Sequence, residues 1–394
     1  MIKVNPYEVA SADIVVGIPS YNEAGNIAFV VDQINKGLLN YFPHYKTVVI
    51  NVDNNSPDNT KEAFFNASNS IPKIYLSTPE GIKGKGNNFY NLFKEAVSLG
   101  AKVVVVVDAD LTSITAEWIK EFADPILNKG FDFASPKYSR NEYDGNITNH
   151  VCYPLLYGLL GRDMRQPIGG DFAFSGKLAK HFLLQQWSKT TGQYGIDIFM
   201  SLNALLCGFK NCQVGLGAKV HIPSFPKLGP MFTQIVSTLF STLLSHKSKW
   251  MHVYSVEETP QFGDDRFVKP QNFSIDYKGM KATAIYQFQI NNDIISETLE
   301  SGIYKRLSQM FESGKLNIGV DLWTRAIYDV LYAYDISDGD PDLIEAMKSL
   351  YFGRLVSFYR RTMEMGHKEC EDEIQRQARY FFKMRKYFVK KYGG

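Results

Sequence analysis

In the first quarter of the chain, short apolar runs alternate with stretches whose apolar residues have helical spacing. Four runs have the length and composition of β-strands, at residues 14–18, 47–52, 73–76 and 103–107. Stretches with helical periodicity follow the first three, at residues 26–38, 61–68 and 87–99. Alternating strands and helices are typical of a parallel sheet with right-handed crossovers. The pattern therefore predicts an α/β fold with a mostly parallel, Rossmann-like sheet and helices on both faces.

Polar segments follow these four predicted strands, at residues 19–23, 53–60, 81–86 and 108–110. Ligands of parallel sheets bind beyond the carboxyl ends of the strands, so charged residues of these segments should lie close together. The residues expected to converge are Glu23, Asp53, Lys85, Asp108 and Asp110. Strand alternation, continued past residue 107, would place both carboxylates of Asp108-Ala-Asp110 on one side, with Ala109 pointing away.

Two segments carry chemistry that suits a diphosphate. Paired carboxylates in Asp108-Ala-Asp110 suit a divalent cation, and such a cation suits a diphosphate. Backbone N–H groups and the Lys85 ammonium of Gly84-Lys-Gly86 could hold further phosphate oxygens. Taken alone, however, this second segment is better interpreted as a flexible turn, because it lacks the full GxGxxG and P-loop patterns.

Further candidates appear between residues 136 and 221. The glycines in Arg165-Gln-Pro-Ile-Gly-Gly-Asp171 allow the backbone to approach a ligand closely. Asp197 precedes a helical pattern at 198–206, and spacing alone favours a helix-capping role for it. His221 ends a strand-like stretch, where a single histidine is more often structural than a metal ligand.

The chain changes character after residue 225, which predicts a domain at 1–225 and a mainly helical domain at 226–394. Long helical patterns occupy residues 229–244, 292–311, 319–334, 341–365 and 371–392. Seven lysines and arginines lie between residues 375 and 391 without an acid. A solvated basic face is a better interpretation of this last helix than a lipid or partner contact.

Composition narrows the class of protein. The chain has 394 residues, 45% hydrophobic content and a formal net charge of +2, so nothing points to a nucleic-acid partner. No stretch approaches the roughly 18 apolar residues of a membrane span, and the first residues lack a signal-peptide core. Four cysteines without a CxxC pair indicate reduced thiols. We therefore expect a cytoplasmic protein without an integral membrane segment; a homodimer remains open.

The polar segments resemble the landmarks of nucleotide-sugar glycosyltransferases of the GT-A fold, through residues 19–23, 52–58 and 108–110. Within that superfamily the chain most resembles the retaining mannosylglycerate synthase family, near the glucosylglycerate and glucosyl-3-phosphoglycerate synthases. The segments that carry this closer resemblance are 84–86, 108–113, 166–170, 194–197, 221 and 339–342. The resemblance implies transfer of mannose or glucose from a GDP- or UDP-sugar to a small hydroxy acid such as D-glycerate or 3-phosphoglycerate, with retained configuration.

The resemblance also implies a role for individual residues. The divalent cation, Mg²⁺ or Mn²⁺, would bind Asp110, His221 and Asp108. The nucleotide would contact Pro19, Tyr21, Glu23, Asp53, Lys85, Asp108 and Ala109. The transferred sugar would contact Asp108, Ile168, Gly169, Gly170 and Asp197, and the acceptor would contact Arg140 and Thr148. The catalytic set would be Asp197, Lys85 and Asp110, with the acceptor attacking on the leaving-group face.

Two other functions fit parts of the sequence. Asp108-Ala-Asp-Leu-Thr112 also matches the DxDxT pattern of haloacid-dehalogenase phosphatases, in which the first aspartate is the nucleophile. That pattern normally begins its catalytic fold, whereas three predicted strand–helix units precede Asp108 here. A non-catalytic module that only binds nucleotide sugar is the second alternative.

Overall fold

A computed structural model describes residues 2–68, 70–220, 228–264, 266–270 and 275–393. The chain forms two compact units. The first unit comprises Met1–Arg140, Gln166–Pro226 and Thr259–Gln271, and the second comprises Asn141–Arg165, Lys227–Glu258 and Asn272–Gly394. The units thus alternate along the chain, whereas the sequence pattern predicts a single boundary after residue 225.

The described residues contain eleven strands and fifteen α-helices. The strands are β1 Ile2–Val4, β2 Ile14–Ser20, β3 Thr47–Asp53, β4 Lys73–Ser77, β5 Val103–Val106, β6 Phe133–Ser139, β7 Arg162–Asp163, β8 Phe172–Ser175, β9 Asn211–Ala218, β10 Glu257–Glu258 and β11 Gln261–Asp264. The helices are α1 Ile27–Tyr41, α2 Thr60–Asn66, α3 Lys85–Ser98, α4 Ala116–Asn128, α5 Tyr153–Leu155, α6 Gly176–Leu184, α7 Ile196–Leu206, α8 Leu228–Leu244, α9 Lys247–Trp250, α10 Tyr277–Ile290, α11 Asn292–Thr298, α12 Ser301–Glu312, α13 Val320–Ile336, α14 Pro341–Thr362 and α15 His367–Lys390. Two π-helical turns, Thr148–Cys152 and Leu156–Leu160, flank α5.

The first unit is built on one nine-stranded sheet in the order β1-β4-β3-β2-β5-β8-β6-β9-β11. Its strands run mostly parallel, and the exceptions are β1 at one edge and β8 in the middle, each antiparallel to its neighbours. The four strands β2 to β5 and the helices α1 to α3 coincide with the sequence prediction to within a few residues. The predicted mostly parallel α/β fold is confirmed.

Helices cover both faces of this sheet. Successive side chains of β2 point to opposite faces, and they therefore contact different helices. Val16 is fully buried in the hydrophobic cluster that includes residues of α1 and α4. The neighbouring Gly17 faces α3, and a Cβ atom there would lie 2.3 Å from Leu92. The valine-rich β5 is buried along its whole length, as expected of a strand between two helical layers.

The strand that precedes the two aspartates is shorter than predicted. β5 ends at Val106, so Asp108 and Asp110 lie in the turn beyond it rather than on the pleated strand. Strand alternation therefore does not set the directions of the two carboxylates, and that part of the sequence argument is wrong. Their positions depend on contacts with other segments.

The second unit is mainly helical, as the sequence predicted, and no described helix is long and apolar enough to span a membrane. The predicted helix at 292–311 is divided into α11 and α12. The break falls at Leu299, whose backbone is extended, and the next N–H, of Glu300, donates to Asp329 at 3.0 Å. α10 was not predicted, because only Met280, Ala284 and Phe288 give it a buried stripe.

Candidate active site

The carboxyl ends of β2, β3 and β4 lie side by side because these strands pair in parallel register. Ser20, Asp53 and Ser77 end the three strands, and Asp53 pairs with both of the others. β5 adds its end to the same edge, since it runs parallel to β2. The polar segments that follow these strands therefore leave the sheet at one edge, as the sequence predicted.

Asp53 is buried and bonded to protein donors. The hydroxyls of Ser20 and Tyr75 donate to its carboxylate at 2.7 and 2.9 Å. The backbone N–H and the hydroxyl of Ser56 donate to it as well, each at 2.7 Å. Four donors therefore satisfy the carboxylate and fix the loop after β3. The contact between Asp53 and a nucleotide stays a prediction.

The loop after β2 presents an aromatic ring at the surface. Tyr21 is 40% exposed, and the Lys83 ammonium lies 4.6 Å from its ring centroid and donates to its hydroxyl at 2.8 Å. The backbone N–H of Glu23 donates to the Thr60 hydroxyl at 2.9 Å, whereas Pro19 is buried in β2. An exposed ring beside a cation is a surface on which a planar ligand group can stack.

Lys85 unites three of the predicted site segments. Its Nζ donates to Asp108 Oδ1 at 2.9 Å and lies 3.4 Å from the Gly170 carbonyl oxygen. The same Nζ lies 3.5 Å from Asp197 Oδ1, within ion-pair range. Residues far apart in sequence thus meet around one ammonium group. Lys85, Asp108, Gly170 and Asp197 form what we call the ammonium cluster.

Asp197 lies in the first turn of α7, but the structure gives its carboxylate no capping bond. The N-cap residue of that helix is Gly195, and Asp197 Oδ1 has no hydrogen-bond partner within the part of the chain that the structure describes. Its close neighbour is the Lys85 ammonium. The carboxylate is therefore directed toward the ammonium cluster, and helix capping does not account for it.

A second lysine, which the sequence analysis missed, lies beside Asp108. Lys219 Nζ donates to Asp108 Oδ2 at 3.1 Å and to Asp171 Oδ2 at 2.7 Å. Asp171 also accepts from the Tyr138 hydroxyl at 2.6 Å and from the backbone N–H of Asp108 at 2.8 Å. In the sequence, Asp171 is the last residue of the 165–171 motif, and Lys219 lies two positions before His221. These positions were the only signals of the two residues.

The neighbouring charges set the protonation of these groups. Burial would raise the pKa of the Asp108 carboxyl, but Lys85 and Lys219 outweigh burial and hold that pKa well below its usual range. Burial raises the pKa of Asp197, Lys85 opposes the rise, and the negative Asp108 adds to it. Burial would lower the pKa of Lys85, but Asp108 and Asp197 raise it above its ordinary value. Asp108 is thus anionic and Lys85 cationic at neutral pH.

The glycines on either side of Lys85 serve close packing. A Cβ atom on Gly84 would lie 2.3 Å from the Gly192 carbonyl oxygen, and one on Gly86 would lie 1.9 Å from that of Thr191. The Gly86 N–H donates to Gln193 O at 3.0 Å, and the next N–H along the chain also donates to this turn. The Gly86 N–H is thus already bonded within the protein, and a contact of this segment's backbone with phosphate oxygens stays a prediction. The Lys85 ammonium remains as the candidate phosphate contact.

The glycine pair at 169–170 lies against the ammonium cluster. Gly170 has a φ of +93°, and a Cβ atom on it would lie 2.5 Å from Asp108 Oδ2. A Cβ atom on Gly169 would lie 2.2 Å from Pro136 Cγ. Ile168, which precedes them, is half-buried. Glycine is therefore required where the backbone passes Asp108, and the proposed sugar contacts of this segment stay a prediction.

The predicted metal ligands are only partly described. Asp110 is half-buried in the turn after β5, and Ala109 is buried beside it. Both oxygens of Asp108 accept from lysines, as given above. His221 lies outside the described residues, and among the described ones no three His, Cys, Asp or Glu side chains form a cluster that could hold a metal ion.

The two predicted acceptor residues belong to different compact units. Arg140 ends the first segment of the first unit, close enough to Lys219 for its charge to affect that lysine. The pKa of Lys219 is raised overall. Burial and the charge of Arg140 lower this pKa, but the negative charges of Asp171 and Asp108 outweigh them. Thr148 is buried in the first π-helical turn of the second unit. A joint acceptor site stays a prediction.

Comparison with known proteins gives a family match for the first part of the chain. Residues 15–187, a little under half of the chain, match the family model described as glycosyl transferase family 2. This match contains Asp108 and Asp110, and it favours the glycosyltransferase interpretation of these residues over the phosphatase interpretation. No curated protein matches the chain.

Several solved structures are similar to part of the chain. Glucosyl-3-phosphoglycerate synthase from Mycobacterium tuberculosis, in complex with Mn²⁺, UDP and phosphoglyceric acid, is 25% identical over 59% of this chain and 79% of that chain, with a TM-score of 0.47. The same enzyme in complex with Mg²⁺ and UDP is 25% identical over 59% of this chain and 80% of that chain, with a TM-score of 0.46. A structure described as a mycobacterial protein is 26% identical over 59% and 76%, with a TM-score of 0.48. Over residues 15–187 this chain is therefore similar to the proteins of glycosyl transferase family 2.

Proposed function

We propose that the chain transfers a hexose from a nucleoside diphosphate sugar to a small hydroxy-acid acceptor, with retention of configuration. The observation that carries the proposal is the position of Lys85 Nζ between Asp108, Asp197 and the Gly170 carbonyl oxygen. Donor binding and chemistry are assigned to the first unit, where these residues lie. GDP-mannose, GDP-glucose and UDP-glucose all remain candidate donors.

Lys85 and Asp197 suit the two charges that develop when a glycosidic phosphate bond breaks. The departing diphosphate gains negative charge, which the ammonium of Lys85 stabilises if the phosphate lies beside it. The sugar gains oxocarbenium-like positive charge, which the carboxylate of Asp197 stabilises. Their Nζ and Oδ1 atoms lie 3.5 Å apart, so a bond cleaved in their neighbourhood would feel both charges.

We assign the divalent cation to the polar residues that follow β5. Asp110 would hold it together with His221, and Asp108 would contribute charge although both of its oxygens already accept hydrogen bonds. Mixed carboxylate and imidazole ligands favour Mn²⁺ and allow Mg²⁺. When bound, such a cation acts as a Lewis acid for the leaving nucleoside diphosphate.

We assign Arg140 to the carboxylate group of the acceptor. A guanidinium group binds a carboxylate through two parallel hydrogen bonds, which suits a glycerate-like acid better than an ammonium does. Arg140 directly follows β6, and its charge affects the lysine that holds Asp108. D-Glycerate and 3-phosphoglycerate are the acceptors to test first.

A matrix of donors and acceptors tests the proposal. UDP- and GDP-hexoses are each combined with D-glycerate, 3-phosphoglycerate or glycerol, with Mn²⁺, Mg²⁺ or EDTA, and released nucleoside diphosphate is measured. We expect release that needs both a cation and one acceptor class, and an α-linked product by NMR from an α-linked donor. Donor binding without release or transfer in any combination would favour a non-catalytic module. An inverted product would overturn the retaining mechanism.

A further inference from the structure

We propose that Lys219 is a positioning residue. Held by Asp171, it fixes the carboxylate of Asp108 and thereby the ammonium of Lys85. The inference rests on the proposed function for its catalytic consequence, but its structural basis is independent of the donor and of the acceptor.

Asp171 reaches Asp108 because of the one antiparallel strand in the middle of the sheet. β8 runs antiparallel to β5, with Phe172 opposite Val106, so the residue before β8 begins lies where β5 ends. Asp171 is that residue, and it is completely buried. Its Oδ1 accepts the backbone N–H of Asp108 at 2.8 Å, which fixes the main chain of the turn.

Lys219 fixes the side chain of the same aspartate. Its Nζ donates to Asp108 Oδ2 at 3.1 Å, to Asp171 Oδ2 at 2.7 Å and to the Gly169 carbonyl oxygen at 2.9 Å. An ammonium has three N–H donors, so these three acceptors use all of them. The side chain is only 3% exposed. Lys219 therefore has no donor to offer a ligand and acts through Asp108.

Each of the two lysines binds a different oxygen of the Asp108 carboxylate. Lys219 binds Oδ2, whereas Lys85, whose side chain is 16% exposed, binds Oδ1 and lies near Asp197. Without Lys219, the partly exposed carboxylate of Asp108 and the buried carboxylate of Asp171 would lose their shared cation. Uncompensated buried charges rearrange or become neutral, so Asp108 could no longer hold Lys85 in place.

The chain offers a matched control in Lys73. This lysine is also fully buried in the first unit, and it donates to the carbonyl oxygens of Phe64, Phe65 and Ala67 at 2.9, 3.0 and 3.0 Å. It is the first residue of β4, at the opposite end of that strand from the candidate site. Lys219→Met and Lys73→Met thus each remove a buried ammonium, but only the first removes one of the two cations that bind Asp108.

The two variants are compared in transfer kinetics and in Mn²⁺ binding measured by electron paramagnetic resonance with UDP or GDP present. We expect both to melt at lower temperature than the wild type. Below those temperatures, Lys219→Met should lose about 100-fold in kcat, the cost of a misplaced catalytic group, and bind Mn²⁺–nucleotide more weakly. Lys73→Met should keep kcat within about threefold, as expected of a purely structural change. Equal kcat values for the two variants would overturn the inference.

A double-mutant cycle in metal-free protein tests the contact itself. If Lys219 acts through the charge of Asp108, Lys219→Met should raise the unfolding equilibrium constant roughly tenfold less in an Asp108→Asn background than in the wild type. Strictly additive effects would reject the coupling, even if transfer is observed. Inactive wild-type protein with a coupled pair would instead reject the proposed function and keep the structural assignment.

Discussion

Lys85 donates a 2.9 Å hydrogen bond to Asp108, and so links the segment after β4 to the turn after β5. Their pKa values diverge: burial opposes both shifts, but each charge favours the ionised form of the other, which raises the pKa of Lys85 and lowers that of Asp108. The ion pair therefore keeps the Lys85 side chain protonated at neutral pH. A leaving diphosphate would meet this charge already in position.

Replacement of Lys85 by methionine should slow transfer far more than it weakens donor binding. Loss of one preorganised charge at the leaving group lowers kcat by about 10²–10³-fold. Steady-state kinetics at saturating donor measure the effect. Lys94→Met is the matched control, because Lys94 is an exposed residue of the same helix. A kcat reduced equally in the two variants would show that the ammonium of Lys85 has no special role.

Asp110→Ala should abolish metal-dependent transfer while the protein still folds. Asp110 is half-buried in a turn outside β5, so the substitution leaves the strand and its packing intact. Mn²⁺ titration and thermal unfolding of the metal-free variant separate the two effects. Unchanged transfer with Mn²⁺ would remove Asp110 from the metal site.

Much of the sheet could be predicted from sequence because its central strands are continuous apolar runs. β2, β3 and β5 are buried on both faces, and a polar segment follows each one. β8 has only four residues, Phe172–Ser175, and its antiparallel direction depends on pairing with β5 and β6. Local pattern carries no information about such pairing, so the strand that positions Asp171 was not predicted.

The candidate site was predictable where glycines and charges form local motifs. Lys85, Asp108, Gly170 and Asp197 were singled out, and the structure brings them together. Lys219 was missed because its partners Asp108 and Asp171 lie 111 and 48 residues away. An isolated lysine in sequence is normally exposed, and only the fold reveals that this one is buried in an ion pair.

Gly170→Ala should damage the site through contact as well as backbone strain. The φ of +93° disfavours a side chain, and the new Cβ atom would lie 2.5 Å from Asp108 Oδ2. We expect a loss of about 1–3 kcal/mol in unfolding free energy and a large loss of kcat, measured by denaturant unfolding and transfer assays.

Gly100→Ala is the control for strain alone. Its φ is +71°, and a Cβ atom added there would meet no atom within 4 Å among the described residues. This variant should lose about 1–2 kcal/mol and keep its kcat. If Gly170→Ala retains full activity, the close approach to Asp108 is not needed for catalysis.

The buried cysteines should react slowly with thiol reagents. Burial raises the pKa of Cys212 to about 12, with Lys129 opposing it, and burial together with Glu142 raises that of Cys370 to about 11. Their thiolate fractions at pH 8 are therefore only about 10⁻⁴ and 10⁻³. Labelling with a disulfide reagent should be fast at the half-buried Cys207 alone and should reach four thiols after denaturation. Fast labelling of Cys212 in native protein would contradict its buried position.

Arg140→Ala should weaken acceptor use more than it slows donor hydrolysis. A lost charged hydrogen-bond pair to a carboxylate raises the acceptor KM by about 10–100-fold, whereas water needs no such partner. The two activities are measured on one preparation, with and without acceptor. Arg140→Lys separates charge from shape, since an ammonium keeps the charge but not the paired donors. If transfer and hydrolysis fall by the same factor, Arg140 supports the ammonium cluster through its charge and does not bind the acceptor.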